Sequence, residues 1–391
     1  MVLMWAGVWL LTALLIAVTH YTSRDPDSQL YAGIAARLAA EPVDKWIAPQ
    51  WWGLWDSTGP FFEHPAGLFV LPATLARFGY PPEQSAYAVN ALYQIVALCL
   101  IGVLAARVVT DSESRALLWL LQLLPIAFVF RVRANHEYAV FAALLFAVYA
   151  ADRGRTRPLW SLGMLVGFCA VLLIKGAFAF IVPVTCAIWL IARDSRVRLS
   201  APWAAIAAMP VAAGLVAWAY DAAYVRAAGH PFLVHYVTKQ LPSDQVVSAF
   251  SPGRVAYNLM WYVSRVLWYA FPWSILAGVV AAAAVWRGNV WPRRAEQQGA
   301  EQQGAWFALV ASIALVIAFS LMHRKADRYL IPVYFISASV GIVYAVRRFT
   351  WLQRVVTRLD RPWVPAVLFV LLCALRLASI GALRQFTFWR T

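Results

Sequence analysis

Residues 24–35 read RDPDSQLYAGIA, and they follow closely on the apolar stretch 2–19, VLMWAGVWLLTALLIAVT. A stretch of that length and composition can cross a bilayer as a helix, which takes about 20 residues. The chain then presents two carboxylates, Asp25 and Asp27, where it leaves lipid. Carboxylates near a membrane are costly to dehydrate, so their position indicates catalysis or ion handling rather than stability.

The composition of the whole chain is that of a polytopic membrane protein. Of its 391 residues, 62% are hydrophobic and 13% are charged, and the mean hydropathy is +0.66. A soluble domain carries about 25% charged residues. The first apolar stretch lacks a basic leader and a small-residue cleavage site, so we predict a retained helix. Arginines between the spans account for the net charge of +15, and we predict no nucleic-acid partner.

Apolar runs and the distribution of arginine predict about eleven membrane helices, with the N-terminus inside and the C-terminus outside. The predicted spans are 2–19, 86–106, 116–133, 137–151, 159–174, 177–192, 202–220, 270–286, 306–322, 329–346 and 363–380. The basic connections, which we place on the cytoplasmic side, are 107–115, 152–157, 193–198, 286–294 and 347–361. We therefore expect a multi-pass protein of a bacterial inner membrane.

This orientation sends two long segments, residues 20–85 and 221–269, to the periplasmic face. Pro65–Phe78 and 253–268 lie within them, and the first is too short to span, so we predict helices that lie in the interface. We treat the 391 residues as a single transmembrane domain without a soluble C-terminal domain. The tandem EQQGA repeat in Ala295–Ala305 predicts a flexible cytoplasmic loop.

Cations gather at the predicted outer face, where the positive-inside rule does not explain them. They are Arg24, Lys45, Arg131, Arg133, Lys175, Lys239, Arg254, His323, Arg324, Lys325 and Arg328. Cations at a bilayer interface match an anionic headgroup, and a phosphate fits best. Snorkelling to the interface is the alternative for any single residue. For the set, we predict a donor phosphate site that includes Arg131, Lys175, Arg324, Lys325 and Arg328.

The two carboxylates of the opening stretch flank Pro26, whose ring fixes the local backbone, so we expect their side chains to diverge. Asp27 is then available as a base, while Asp25 is a helper or the cap of a helix that begins near Ser28.

A second group of acids follows later in the chain. Glu63 lies in an aromatic loop, and His136-Glu137 begins a predicted span. Position 140 is Val140, so the HExxH spacing of a metalloprotease is absent. We expect Glu63 and Glu137 to orient an acceptor, and a divalent cation near Asp27, Glu137 and His136 stays an alternative. We predict no resident metal site.

Aromatic rings are concentrated in loop 46–64, which holds four tryptophans and two phenylalanines interleaved with acids. Such rings stack on sugars and also anchor proteins at lipid interfaces, and both roles are open here. We predict that Tyr31, Trp51, Trp52 and Trp55 contact sugar or lipid. The sequence has no P-loop or dinucleotide glycine pattern, so an enzyme of this kind takes an activated substrate already in the membrane. A lipid-phosphate-linked group fits that requirement.

Five short motifs, in order across residues 20–335, resemble those of the GT-C membrane glycosyltransferases, in the branch of aminoarabinose transferases and protein O-mannosyltransferase-like enzymes. DSQLYAGIA at 27–35 resembles D-E-x-x-Y-A-x-I-A, and EHPAGL at 63–68 stands where the branch has K-P-P-L. GFCAVLLIKG at 167–176 resembles G-…-L-T-K-G, and FPWS at 271–274 matches F-P-W-S. Ser320 followed by RYLIP at 328–332 resembles F-S…K-x-x-R-Y-L-L-P.

The resemblance implies an all-α GT-C fold and inverting transfer of a sugar from a polyprenyl-phosphate carrier to lipid A, another envelope glycan or protein. Asp27 takes the place of the catalytic aspartate, and Glu137 that of a second acid. Lys175 and Arg328 correspond to the basic positions. His64 replaces the lysine of K-P-P, and an imidazole can also donate to phosphate. The chemistry requires no cofactor.

Two other classes of function remain open from the residues. A transporter or flippase of a lipid-linked sugar would use the same cations and aromatics, but it would show inverted repeats and broken helices at the midplane. A structural or assembly protein of the membrane would not need charge clustered at one face.

Overall fold

A computed structural model describes residues 2–51, 59–194, 200–240, 251–286, 299–322 and 325–358, with isolated positions between 367 and 374. These ranges form helices joined by short turns, and an isolated bridge between Gln50 and Pro60 is their one β-type pairing. The helices are α1 Val2–Val18, α2 Pro26–Ala40, α3 Gly67–Arg77, α4 Pro82–Ala105, α5 Asp111–Leu121, α6 Pro125–Phe130, α7 Glu137–Gly154, α8 Ser161–Lys175, α9 Ile181–Asp194, α10 Ala201–Ala228, α11 Phe232–Gln240, α12 Pro252–Tyr269, α13 Trp273–Trp286, α14 Ala300–Ser320, α15 Ile331–Arg348 and α16 Thr350–Arg358.

The described helices confirm an all-α polytopic membrane protein. Five segments are long and apolar enough to cross a membrane, namely Pro82–Ala105, Pro158–Asp194, Ala201–Ala228, Gln302–Ser320 and Asp327–Arg348. A sixth joins them if α12 and the start of α13, which meet at an angle of 119°, count as one span. The total of eleven stays a prediction, and its last span, 363–380, lies outside the described residues except for isolated positions.

The helices alternate in direction, so their ends fall into two groups. We call one end of the bundle the carboxylate end, since it carries Asp27, Glu137, Lys175 and Arg328. The opposite end, where α4, α7, α9 and α15 finish, carries Arg107, Arg155, Arg193 and Arg347, and we call it the arginine end. These are the two faces that the charge pattern of the sequence separates.

Helix α7 lies at the centre of the bundle, where it packs against α4, α8 and α9. Small residues allow the closest approach: a Cβ on Gly167 of α8 would lie 2.8 Å from the Ala143 carbonyl oxygen of α7. The contact leaves no room for a side chain there. Small residues at helix interfaces are typical of membrane bundles, because dispersion contacts between backbones replace the hydrophobic effect.

Tyrosines of α10 form hydrogen bonds with the backbone of the segment after α1. The Tyr220 hydroxyl donates to the Ile47 carbonyl (3.0 Å) and accepts from the Ala66 amide (2.9 Å). The Tyr224 hydroxyl donates to the Phe61 carbonyl at 3.1 Å. The loop that carries Glu63 and His64 is therefore held at both ends by one helix.

Two sequence-based predictions of local structure are wrong in the described ranges. The predicted span 116–133 is divided by a turn between α5 and α6, and Pro125 begins the second helix, where its missing amide has no cost. The part of the EQQGA repeat from Ala300 onward forms the first turns of α14 rather than a loop. Glutamate, glutamine and alanine are good helix formers, and their helix propensity explains why this polar segment is helical.

Candidate active site at the carboxylate end

The start of α2 gives the two aspartates different partners. Asp25 is the N-cap: its carboxylate accepts from the Ser28 amide at 3.0 Å and from the Ser28 hydroxyl at 2.6 Å. It also forms an ion pair with Arg133 at 3.3 Å. Asp27 lies in the first turn and pairs instead with Arg328. Capping thus occupies Asp25 and leaves Asp27 directed at the cation that follows α14.

Ser28 connects the start of α2 to the turn before α7. Its buried hydroxyl oxygen accepts from the Ala134 amide at 3.2 Å and lies 2.6 Å from the Asn135 side-chain oxygen. The serine therefore fixes the distance between Asp27 on α2 and Glu137 on α7.

Glu137 is the buried acid on which the cations converge. One of its oxygens, Oε1, lies 3.1 Å from Lys175 Nζ and 3.3 Å from Arg328 Nε. Its other oxygen, Oε2, is buried without a hydrogen-bond partner. Asp27, Glu137, Lys175 and Arg328 form one continuous group, which we call the charge cluster. A cluster with two acids and two cations is neutral as it stands.

The exposure of these side chains is uneven. Glu137 and Lys175 are each 3% exposed, whereas Asp27 is 32% and Arg328 24% exposed. A buried ion pair has a desolvation cost that its attraction barely offsets, so it is seldom present for stability alone. The cluster therefore combines an accessible carboxylate with cations that reach inward from it.

Lys175 is held at the end of α8 by rings and by an unusual turn. Its Nζ lies 4.3 Å from the centroid of the Phe178 ring and 4.6 Å from that of Tyr329, which are cation–π distances. The next residue, Gly176, has φ of +60°, and a Cβ there would be 2.3 Å from the Tyr236 hydroxyl. That hydroxyl accepts from the Ala177 amide at 3.0 Å. Gly176 and Tyr236 together hold the turn that follows Lys175 and so position its side chain.

Two histidines face the cluster. The rings of His64 and His136 are 4.8 Å apart, and Tyr31 lies 5.3 Å from His136. Burial, and then the charges of Lys175 and Arg328, lower the pKa of His64 to about 3. Burial also lowers the pKa of His136 well below its usual value. Both imidazoles are neutral near pH 7 here. His136 Nε2 lies 3.2 Å from Glu137 Oε1, and its Nδ1 has no hydrogen-bond partner among the described residues.

Arg328 is positioned by its neighbour, Asp327, which the sequence reading did not single out. The Tyr269 hydroxyl donates to the Asp327 carboxylate at 2.7 Å, and the Tyr334 hydroxyl donates to its carbonyl at 2.7 Å. The Arg328 amide donates to the same carboxylate at 2.8 Å. An aspartate directly before the arginine of the RYLIP motif was the available signal.

Other predicted site residues lie elsewhere. The buried Arg131 donates to the Gln122 carbonyl at 2.6 Å, so the structure does not bring it to Glu137. Lys325 Nζ lies over the Tyr257 ring at 3.7 Å, toward α12. Trp51 is buried edge-on against Phe61, with ring centroids 4.9 Å apart.

Of the remaining predicted residues, one lies near the charge cluster and three are outside the described ranges. Glu63 lies near enough to Tyr31 for its charge to help raise the pKa of that hydroxyl, after burial and Asp27. Trp52, Trp55 and Arg324 lie outside the described residues. Across the ranges that the structure describes, no three His, Cys, Asp or Glu side chains are grouped closely enough to hold a metal ion.

The fold is similar to that of two solved glycosyltransferase systems. ArnT from Cupriavidus metallidurans bound to undecaprenyl phosphate aligns with a TM-score of 0.63 and 16% identity, over 98% of this chain and 72% of that chain. The same protein in the apo state aligns with a TM-score of 0.58. The second is the archaeal oligosaccharyltransferase AglB from Archaeoglobus fulgidus, in complex with an inhibitory peptide and a dolichol-phosphate. It aligns with a TM-score of 0.52 and 12% identity, over 97% of this chain and 55% of that chain.

These likenesses confirm the GT-C fold that the five motifs predict. At such identities they concern the fold and not the chemistry. No protein-family model and no curated protein sequence matches the chain.

Proposed function

We propose that this chain, with its GT-C fold, is a membrane glycosyltransferase that takes a sugar from a polyprenyl-phosphate carrier. One observation carries the proposal: a buried lysine and an arginine converge on one glutamate beside an accessible aspartate. The arrangement offers positive charge for a phosphate and a base for an acceptor within one site. The positive-inside rule would place this end of the bundle at the periplasmic face of a bacterial inner membrane.

The phosphate of the donor would bind where Lys175 and Arg328 now face Glu137. Charge-assisted hydrogen bonds from both cations to phosphate oxygens are stronger than neutral ones. Glu137 then acts as a positioning residue, because it keeps the two cations side by side at 3.1 and 3.3 Å from one oxygen. These side chains supply the positive charge that the leaving phosphate needs, so the proposed mechanism uses no metal cofactor.

Binding of the phosphate would also free the base. In the structure Arg328 pairs with Asp27, which neutralises that carboxylate. When Arg328 turns to the phosphate, its ion pair with Asp27 would open, and the carboxylate could then contact the acceptor hydroxyl. The ion pair therefore represents the resting state, and the donor itself activates the aspartate.

The transfer would then proceed with inversion. The Asp27 carboxylate takes the proton of an acceptor hydroxyl, whose oxygen forms a bond to the anomeric carbon. The bond between that carbon and the phosphate oxygen breaks, and polyprenyl phosphate leaves with the electron pair. Lys175 and Arg328 stabilise the charge that develops on the phosphate in the transition state. Lipid A, another envelope glycan and protein all offer the hydroxyl that this step needs.

The experiment is an assay of bond cleavage in the purified, reconstituted chain. A radiolabelled polyprenyl-phosphate sugar is presented with a membrane extract as a source of acceptor, and free polyprenyl phosphate and labelled acceptor are quantified together. Release of both, in equal amounts, supports the glycosyltransferase. Movement of the intact labelled lipid across the bilayer without cleavage would contradict it and would support a flippase instead. Asp27→Asn, which keeps the shape of the side chain, is the matched control.

A further inference from the structure

A second feature of the molecule lies at the arginine end, far from the charge cluster. It is a cavity of about 310 Å³ lined by residues of α4, α5, α7, α9, α13, α14 and α15. This volume is within the range of small-molecule sites, which is about 300–1,000 Å³. None of the proposed chemistry uses it.

The walls of this cavity are apolar. They are formed by aliphatic and aromatic side chains from several helices, including Ile101, Leu117, Leu145, Val280, Phe307 and Val340. Such walls are a poor match for a polar substrate, since they offer it few hydrogen-bond partners. They suit a hydrocarbon chain.

The mouth of the cavity is cationic. Arg347 and Arg348, at the end of α15, line it. Arg347 is braced by Glu113, whose Oε2 accepts from its Nη2 at 2.9 Å. Arg348 is exposed and forms no ion pair with the acids of the described ranges. An apolar cavity with this arginine at its edge is complementary to a lipid with an anionic headgroup.

Aromatic rings stand between the inner end of the cavity and the charge cluster. Phe335 lines the cavity, and its ring lies 6.1 Å from Tyr138 and 5.5 Å from Phe141. Tyr138 directly follows Glu137. A lipid whose phosphate occupied the charge cluster would have to pass these rings to reach the cavity. A lipid whose headgroup lies at Arg348 would not have to pass these rings.

We infer that this cavity binds one acyl chain of an anionic glycerophospholipid, with the headgroup phosphate at Arg348. The positive-inside rule assigns this end to the cytoplasmic leaflet. The site does not depend on the proposed glycosyltransferase activity, since it shares no residue with the charge cluster.

The test uses the full chain reconstituted in vesicles that contain a trace of phospholipid with a photoreactive acyl chain. One preparation carries a phosphatidylglycerol headgroup and the other phosphatidylcholine, and crosslinked residues are mapped by mass spectrometry. We expect crosslinks on the cavity wall with the anionic lipid. Ala308→Trp, which fills the cavity, should abolish them. Ile313→Trp, on the exposed face of the same helix, should not.

The headgroup is tested by Arg348→Gln, a surface change that keeps the fold. It should lower the preference for the anionic lipid roughly fivefold, the effect of about one charge at a membrane surface. Equal labelling by both lipids would overturn the inference, as would unchanged labelling in a folded Ala308→Trp. Displacement of the crosslinks by polyprenyl phosphate would also overturn it, because it would show that the cavity holds the tail of that carrier. If Ala308→Trp does not fold, Ser339→Leu gives the same comparison with a smaller side chain.

Discussion

The two ends of the bundle both gather acids and cations, but only the carboxylate end buries a cation together with its acid. At the arginine end the buried group is an acid: Asp152 is 7% exposed, and Arg155 and Arg193 lie 3.7 and 3.6 Å from it, each partly exposed. At the carboxylate end the buried groups include a cation, Lys175, while the acid Asp27 is accessible.

This difference separates a structural network from a candidate reaction site. Arginines that stay partly hydrated around one acid lose little solvation, and Trp189 adds a hydrogen bond to Asp152 at 3.3 Å. A lysine taken wholly out of water beside a glutamate loses much more. An oxygen of that glutamate, Oε2, has no hydrogen-bond partner. Among the described residues, the charge cluster therefore keeps an unpaired buried carboxylate oxygen that a ligand could contact.

The largest expected effect is on turnover, at the carboxylate end alone. Asp27→Asn removes the proposed general base and should lower kcat by about 10²–10⁴-fold, with donor binding retained. Asp152→Asn is the matched change at the arginine end and should leave turnover per folded molecule near wild type. Initial rates of polyprenyl phosphate release, normalised to monodisperse protein, measure both. Comparable losses in the two variants would remove the distinction between the ends.

Stability should show the reverse order. Asp152 is buried but its arginine partners are partly exposed, so Asp152→Asn should cost about 1.5–3 kcal/mol, the range for a hydrogen bond to a charged group. Asp27 is about one-third exposed, and its loss should cost only about 0–1 kcal/mol, as for other surface pairs. Thermal unfolding of both variants in the same detergent checks this. A larger loss in Asp27→Asn would mean that its pair with Arg328 is mainly structural.

Substitution of the cations should distinguish the two ends by rate. Lys175→Met keeps the length of the side chain without the charge, and it should lower kcat by about 10²–10³-fold, the effect of losing one donor to a developing negative charge. Arg155→Met, the counterpart at the arginine end, should have little effect on kcat. Rates at saturating donor separate this from weaker binding. A change confined to KM in Lys175→Met would show a role in binding alone.

The effect expected to be smallest for a single step is the change of stability with each unit of pH. The folded chain holds His64 neutral down to a pKa of about 3, whereas the unfolded chain protonates it below 6.5. Stability should therefore fall as pH falls from 6.5 toward 3, by at most about 1.4 kcal/mol per pH unit for this residue. His64→Gln should make the decline shallower. Parallel curves for wild type and His64→Gln, from thermal unfolding across this range, would show that the imidazole does not contribute.

The sequence predicted which residues lie at the carboxylate end better than it predicted where their side chains point. Helix order and charge pattern put Asp27, Glu137, Lys175 and Arg328 at one end, because alternate spans run in opposite directions. Arg131 was predicted there as well, yet it donates to the Gln122 carbonyl inside the bundle. Pattern analysis gives the level of a side chain along the membrane normal but not its rotation about the helix axis.

The local contacts that position the site were also beyond pattern analysis. Asp327 acts through Tyr269 and Tyr334, which lie before and after it in the chain and meet only in the folded bundle. Tyr236 approaches Gly176 across sixty positions of sequence for the same reason, since α11 folds back over the end of α8. Such contacts follow from tertiary packing, and no local propensity encodes them.

The position of a bound polyprenyl phosphate tests the central claim most directly. A cryo-electron microscopy structure of the reconstituted chain, determined with that lipid, would locate its phosphate. We predict that the phosphate lies within hydrogen-bond distance of Lys175 and Arg328, and that Asp27 no longer pairs with Arg328. A phosphate at Arg347 and Arg348, with the pair between Asp27 and Arg328 intact, would contradict the account.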